Sequence, residues 1–391
     1  MTNLIIDLNN IAHRSIFIVG GYGSKTFTFD SQSEIDQLMR KMAMDTAFII
    51  RNINPSRIIF CQDDSSWRKD IKIDENEGYK GNRVKSKIIN WNNVYDAIGE
   101  FTDIMQDNGM IVTKIPKAEA DDLISLWSQE LLIEQEQNVI IVSGDEDIRQ
   151  LVCSYPSHGK GEIFITVYNP FMQGKNASRK LYVPEGFETW LNTADAVDFM
   201  NMKGTINLDK EDFKRIISAE RTKMEVVNGN KVAMRKLFCG DDGDNVPAFH
   251  TWLNDKGVEV RVTNSKFKKI YDFIQEKNKD SLIDHYILLE NVELLKEAFI
   301  KVLKFKPLFD VETRLKRQID LVILDPKFLP EDIFKEFHKT KKEQLDKPRV
   351  NYTNLNMYNL LEGTRYVTNK KNENEAPIFK QIDRIAGKAL F

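Results

Sequence analysis

The sequence predicts an α/β protein, with a mostly parallel central sheet flanked by helices and helical regions in its second half. Three observations predict it. Short β-branched runs without polar alternation recur through the first half, as expected of strands buried on both faces. The stretches between them are long and carry helical spacing, which calls for right-handed strand–helix–strand crossovers. Beyond about residue 200 the strand signal fades and helical periodicity takes over.

The strand candidates are LIIDL at 4–8, RIIFCQD at 57–63, MIVTKI at 110–115 and NVIIVSGD at 138–145. Leu38, Met42 and Ile49 mark a helix before the second strand, and Val94, Ile98, Phe101 and Met105 one before the third. EIFITVYN at 162–169 reads as a hairpin or edge strand beyond the main sheet, and 154–180, rich in Ser, Gly, Lys and Pro, as an elaborated loop. Helices are expected at 209–226, 231–238, 264–278 and 281–304, with a sharp turn at GDDGDNVP (240–247) and further helical pieces over 314–340. NKKNENEAP at 369–377 has the composition of a flexible linker. After it, Ile378, Ile382 and Ile385 share one face of a short helix, which either packs on its own domain or serves as a partner-binding tail. The expected organisation is an α/β core over 1–200 with an inserted segment at 65–90, a helical region over 201–310, and a C-terminal helical region and tail over 311–391.

Composition excludes several classes. Of 391 residues, 41% are hydrophobic and 29% charged, ordinary values for a folded chain and incompatible with disorder throughout. No apolar run reaches the ~18 residues that span a bilayer. The N-terminus has no basic leader or small-residue cleavage site, so no secretory signal is expected. Cys61, Cys153 and Cys239 are far apart and odd in number, which points to reduced thiols in a cytoplasmic compartment. With 56 basic against 59 acidic residues the formal charge is −3, and the balance alone identifies no partner.

The positions of the acids say more. Asp7 ends the first strand, Asp63 and Asp64 follow the second, and Asp145 and Asp147 follow VIIVSG. In an open parallel sheet, ligands bind beyond the carboxyl ends of the strands. Glu119, Asp121 and Asp122 open the helix preceding the last of these strands, with Glu119 and Asp122 at i and i+3 on one face. An Asp after a strand is ordinarily a turn former or helix cap; repetition at several strand ends is what that reading leaves unexplained. Two unit charges ~4 Å apart at an effective dielectric of ~20 repel by about 4 kcal/mol, so several such pairs rival the roughly 5–15 kcal/mol stability of a domain. Oxygen-only ligation selects hard divalent ions, Mg²⁺ or Mn²⁺. The five histidines are scattered, and no G-x-S-x-G elbow is present.

These residues carry a resemblance. LIIDLNN, WRKD…YKGNR, EADD at 119–122, SGDEDIRQL at 143–151 and GDDGDNVP at 240–247 resemble the 5′-nuclease superfamily of flap endonucleases and 5′→3′ exonucleases, most of all its bacteriophage RNase H branch. The resemblance implies a PIN-like core and a duplex-gripping helix–three-turn–helix over 231–256. It implies two divalent ions (Mg²⁺, with Mn²⁺ substituting), one held by Asp7, Asp63, Glu119, Asp121 and Asp122, the other by Asp145, Asp147, Asp241 and Asp244. Asp63 and Asp64 are rivals for one of those roles; Asp63, which ends the apolar strand directly, is preferred. Two such ions can activate a water and stabilise the attacking and leaving oxygens of a phosphodiester.

The resemblance also implies that 65–90 is a helical arch in which Lys80, Arg83 and Arg68 contact the scissile phosphate. Trp67, Tyr79, Lys85 and Lys87 would then line a threaded single strand. Gly240 and Gly243 would present main-chain groups to duplex phosphate and to a K⁺ ion, and Lys256, Arg261, Lys266 and Lys268 would touch the backbone. The usual glycine-rich continuation is replaced here by AFHTWLND. The implied substrates are branched or flapped DNA and RNA·DNA hybrids, met during primer removal in phage lagging-strand replication. The implied partners are a single-stranded-DNA-binding protein and a sliding clamp, and the implied state is a monomer. The rival readings are a non-cleaving structure-specific DNA-binding module and a PIN-type ribonuclease.

Overall fold

In the computed structural model, the described residues are 2–366 apart from 21–26, 54, 74–77, 84, 159–160, 172–177, 194–196, 199–202, 205–207, 220–221, 254–258, 279–282, 305–306, 308 and 346–355. Lys256, the linker at 369–377 and the helix expected after it lie outside them.

The first half runs β1 (Thr2–Asp7), α1 (Leu8–Val19), α2 (Gln32–Ile53), β2 (Arg57–Cys61), a 3₁₀ turn at Trp67–Asp70, α3 (Trp91–Asp107) and β3 (Ile111–Thr113). It continues with α4 (Ala120–Gln129), a π-helical turn at Glu130–Glu134, β4 (Asn138–Val142) and a 3₁₀ turn at Asp147–Leu151. β5 (Cys153–Ser157), β6 (Gly161–Asn169), β7 (Arg179–Val183), α5 (Phe187–Asn192), β8 (Val197–Asp198), β9 (Lys203–Gly204), α6 (Leu208–Ser218) and β10 (Thr222–Val226) follow. The second half contains α7 (Gly229–Cys239), β11 (Thr251–Leu253), β12 (Glu259–Arg261), α8 (Asn264–Lys277), α9 (His285–Glu290), α10 (Val292–Leu303), α11 (Val311–Val322), α12 (Glu331–Leu345) and α13 (Met357–Leu360).

The eight-stranded sheet has the order β10-β7-β6-β4-β1-β2-β3, with β5 paired to β6. β1, β2, β3, β4 and β6 are mutually parallel where they pair. β1 and β4 are buried at every position, which explains their unbroken apolar runs. Core residues of α1, α2, α3 and α6 cover one face of the sheet. Those of α4 cover the other, joined by Ile333 and Phe337 of α12. A separate core gathers α7 to α11 and takes in Ile73 and Tyr79 from the inserted segment.

Three expectations need correction. β6 forms the expected hairpin, with β5, but it is an interior strand and not an edge: β4 pairs along one side, while β5 and β7 share the other. The expected loop at 154–180 therefore holds most of β5, all of β6 and the start of β7, and its Ser154, Pro156 and Ser157 lie within the β5 ladder. The helix expected over 209–226 ends at Ser218, and half-exposed Thr222–Val226 adds a parallel edge strand to β7. α11 packs in the helical core, whereas α12 returns to the sheet. Among the described residues, no helix is long and apolar enough to cross a membrane.

Candidate active site

Parallel pairing brings the carboxyl ends of three adjacent strands together. Asp7 of β1 is in register with Cys61 of β2, and Ile6 with Val142 of β4, so Asp7, Asp63 and Asp145 leave the sheet at one edge. Asp7 also caps α1: one carboxylate oxygen accepts from the Asn10 amide at 2.9 Å, the other from the Ser143 hydroxyl at 2.9 Å. Asp63 accepts from the Ala120 amide at 2.6 Å, which ties β2 to the N-terminus of α4, and its own amide donates to Asn9 at 3.1 Å. Asp145 accepts from the Asp147 amide at 2.9 Å as the chain turns into the 3₁₀ segment.

This concentration of charge is expensive. Burial first, then the Asp63 and Asp145 charges, push Asp7 up to about 7. Asp121 is pushed well above the usual carboxylate range by burial and by Asp145 and Asp7. Burial, with Glu119 and Asp122 nearby, also raises Asp63. Asp64 is exposed, accepts from the Lys117 amide at 3.1 Å and faces Lys114 at 3.7 Å, away from the cluster.

Beside these acids, cations sit among carboxylates. Lys80 hydrogen-bonds Glu119 and lies 3.8 Å from Asp244. The Tyr79 hydroxyl reaches Glu119 at 3.1 Å and Asp244 at 3.0 Å, and Arg83 pairs with Asp244. Burial works to raise Glu119, yet Lys80 and Arg68 hold it below the ordinary range. Lys236 of α7 bridges Asp147 and Asp241. Burial pushes Asp147 up to about 6 in spite of that ammonium, whereas Asp241, more open, is held low by it. Among the described residues, Asp147, Asp241 and Asp244 each offer a carboxylate oxygen within 4.8 Å of one another. Asp244 thus joins Glu119 and Asp147 in one continuous acidic floor, where the sequence implied two separate groups.

Asp122 is held apart. It is 1% exposed and completes a capping box with Glu119, whose amide donates to it at 3.1 Å. Arg68 pairs with it at 2.8 Å, and the Trp67 indole donates to it at 3.2 Å. Arg68 was expected at a substrate phosphate, but it is 2% exposed and its remaining donors go to Glu119 and the Asp320 carbonyl. Trp67 and Tyr79 likewise point their polar atoms at carboxylates.

The turn expected at 240–247 closes through a bridge between Asp241 and Val246. Gly240 has φ +72°, and a Cβ there would meet the Val246 and Pro247 backbone at 2.5 Å, so only glycine fits. The Gly243 amide donates to Asp241 at 2.8 Å. Lys80 is locked to this turn, its amide donating to the Asp244 carbonyl at 2.8 Å. Asp242 points outward to Arg261, paired at 2.6 Å and 2.9 Å. Lys266 bonds the Arg261 carbonyl at 3.0 Å, and Lys268 is exposed on α8. Lys85 donates to Tyr95 at 2.7 Å, and Lys87 is exposed.

Sequence reasoning missed Lys236, Ser143, Asn9 and Asn10. Lys236 sits in the last turn of α7, one and a half helical turns before Asp241, and helical spacing toward the acidic turn was the available signal. Asn9 and Asn10 follow Asp7 by two and three residues but read as helix-start polar residues. Carboxylate-only chemistry on this floor suits hard cations. The ammonium of Lys236 stands between two carboxylates where such a cation would fit.

Residues 2–185 match the family model of the 5′-3′ exonuclease N-terminal, resolvase-like domain. That match covers just under half of the chain. The chain is similar to a 5′-3′ exonuclease of Mycobacterium tuberculosis, 28% identical over 138 residues, a match covering 32% of this chain and 42% of that protein. The chain thus spans less than half the length of that curated relative. A zinc-bound bacteriophage T5 5′-exonuclease is similar at 14% identity, covering 89% of this chain and 99% of its own, with a TM-score of 0.47. A bacteriophage T5 flap endonuclease, in a pseudo-enzyme–product complex with DNA and metal ions, is similar at 14% identity, covering 89% and 100%, with a TM-score of 0.41.

Proposed function

We propose that this chain is a metal-dependent 5′-nuclease that hydrolyses phosphodiester bonds at 5′ ends and flaps of DNA and of RNA·DNA hybrids. The observation that carries the reading is the convergence of Asp7, Asp63, Asp121 and Asp145 with the floor of Glu119, Asp147, Asp241 and Asp244. Burial, with their mutual repulsion added to it, drives Asp7 and Asp121 upward, so the site is short of positive charge. Divalent ions, Mg²⁺ or Mn²⁺, would be held by Asp7, Asp63, Asp121 and Asp145 on one side and by Asp147, Asp241 and Asp244 on the other. When bound they would supply Lewis acidity to a phosphodiester and to the attacking water.

The chain's own residues divide the remaining work. Lys80 and Arg83, anchored on the 240–247 turn, stand over the acids as anion-binding groups for the phosphate. Arg68 and Trp67 fix Asp122, which in turn fixes the start of α4 and hence Glu119 and Asp121. The core is read as PIN-like, with α7, the turn and the following segment as a helix–three-turn–helix that grips duplex and offers carbonyls to K⁺. Primer removal by a cytoplasmic monomer, alongside a single-stranded-DNA-binding protein and a sliding clamp, is the biological setting this reading favours. End-labelled flap, nick and RNA·DNA substrates test it: cleavage in Mg²⁺ that disappears with chelator and in Asp145→Ala supports the proposal. Binding without cleavage in Mg²⁺ and in Mn²⁺ would overturn it in favour of a non-cleaving DNA-binding module.

A further inference from the structure

Trp67 and Tyr79, in the inserted segment, aim their polar atoms at carboxylates, Tyr79 is buried, and Arg68 lies 4.7 Å from the Trp67 ring centroid. A different set of rings is open. His13 of α1 lies 5.9 Å from Trp91, and Trp91 lies 5.9 Å from Tyr95 one turn along α3, at an interplanar angle of 30°. The row begins beside the acidic site, because His13 is four residues after Asn9, on the same face of α1, and Asn9 holds the Asp63 amide.

Its geometry is fixed from beneath. Trp91 packs against the core and its indole donates to the Ser86 carbonyl at 3.0 Å. Tyr95 is 47% exposed, and Phe17, one turn beyond His13, is 58% exposed. Lys85 lies 5.0 Å from the Tyr95 ring centroid and 5.9 Å from that of Trp91, and its ammonium donates to the Tyr95 hydroxyl at 2.7 Å. Packing lowers the His13 pKa, and the Arg83 and Lys85 charges lower it further, so both cations act on the start of the row. An i, i+4 aromatic pair on a helix is ordinarily packing. Packing accounts for the inner edge of Trp91 but not for the exposure of His13 and Tyr95 on either side of it, beside Lys85 and continuing from the acidic site.

We infer that His13, Trp91 and Tyr95 form a stacking platform for the unpaired 5′ strand of a flapped substrate, with Lys85 on its phosphates. Cationic side chains beside exposed rings match the anionic backbone and π-faces of single-stranded nucleic acid, and stacking tolerates any base. This inference rests on the 5′-nuclease reading and deepens it: the platform favours substrates with a single-stranded 5′ extension over flapless nicks.

Fluorescence anisotropy in Ca²⁺ tests it with three labelled duplexes: a nick, the same nick with a 5′ flap of about ten nucleotides, and that flap made abasic. The platform predicts that Tyr95→Ala weakens flap binding about five- to a hundred-fold and leaves the nick unchanged, while Tyr95→Phe retains flap affinity. Abasic flaps should reproduce the loss with the wild-type protein, which needs no variant to fold. If Tyr95→Ala and abasic flaps bind as the wild-type pair does, yet all substrates are cut in Mg²⁺, the platform is refuted and the nuclease reading stands. If none is cut in Mg²⁺ or Mn²⁺, both are overturned.

Discussion

The Arg68 guanidinium lies 2.8 Å from the Asp122 carboxylate, in a pair whose side chains are 2% and 0% exposed. Removing one partner of a buried pair strands the other charge, at a cost of about 3–5 kcal/mol. Arg68→Ala should therefore lower the urea midpoint strongly, and Arg68→Lys should recover only part of it, since an ammonium lacks the planar fork. A midpoint unchanged in Arg68→Ala would show that Asp122 finds its neutralising charge elsewhere.

The pH dependence of the metal-free protein follows from Asp7. Its carboxyl rises from 3.8 to about 7, so the folded state binds this proton more tightly than the unfolded chain. The resulting stabilisation is complete below the unfolded value and is lost as pH rises through the folded one. Asp147, raised to about 6, acts with the same sign. In chelator, these groups should lower the melting temperature between about pH 4 and pH 7, and Mg²⁺ should offset the loss. Thermal melts with and without Mg²⁺ check this: the gain from Mg²⁺ should be larger at about pH 8 than at about pH 5, and an equal gain contradicts it.

Lys80 touches Glu119 and Asp244 and faces the acidic floor. Lys80→Ala removes a positive group that the proposal aims at the phosphate, so the single-turnover rate at saturating Mg²⁺ should fall on the order of 100-fold. Metal affinity should hold or rise, because a competing ammonium is gone. An unchanged rate would remove Lys80 from the chemistry.

Gly240 holds φ +72° where a Cβ would press on backbone at 2.5 Å. Gly240→Ala should open the turn that carries Asp241 and Asp244, costing more than ~1 kcal/mol and weakening Mg²⁺ binding. A variant with wild-type melting and metal affinity would mean the turn relaxes freely.

Much of the sheet and the acidic edge could be read in the sequence because burial writes a one-dimensional signal. LIIDL and VIIVSGD are apolar on both faces, and their acids must emerge where the strands stop. β10 escaped because TKMEV is a half-exposed edge strand whose pairing with β7 depends on distant residues. The pairing of Lys236 with Asp147 and Asp241 was equally hidden, since α7 meets the 3₁₀ turn only after folding. Close contact there is set by Gly229, where a Cβ would meet the Gln150 and Val152 carbonyls at 2.5 Å. The inward turn of Trp67, Arg68 and Tyr79 could not be told from an open basic segment, because charge in sequence does not report which partner neutralises it.

Calorimetric titration of Mn²⁺ into the wild-type protein, Asp7→Asn and Asp241→Asn tests most directly whether the gathered carboxylates exist to hold divalent ions. The account predicts two ions per wild-type chain, with one binding event lost or strongly weakened in each variant while the fold persists by circular dichroism. Wild-type protein that takes up no Mn²⁺, or variants that take it up as the wild type does, would contradict it.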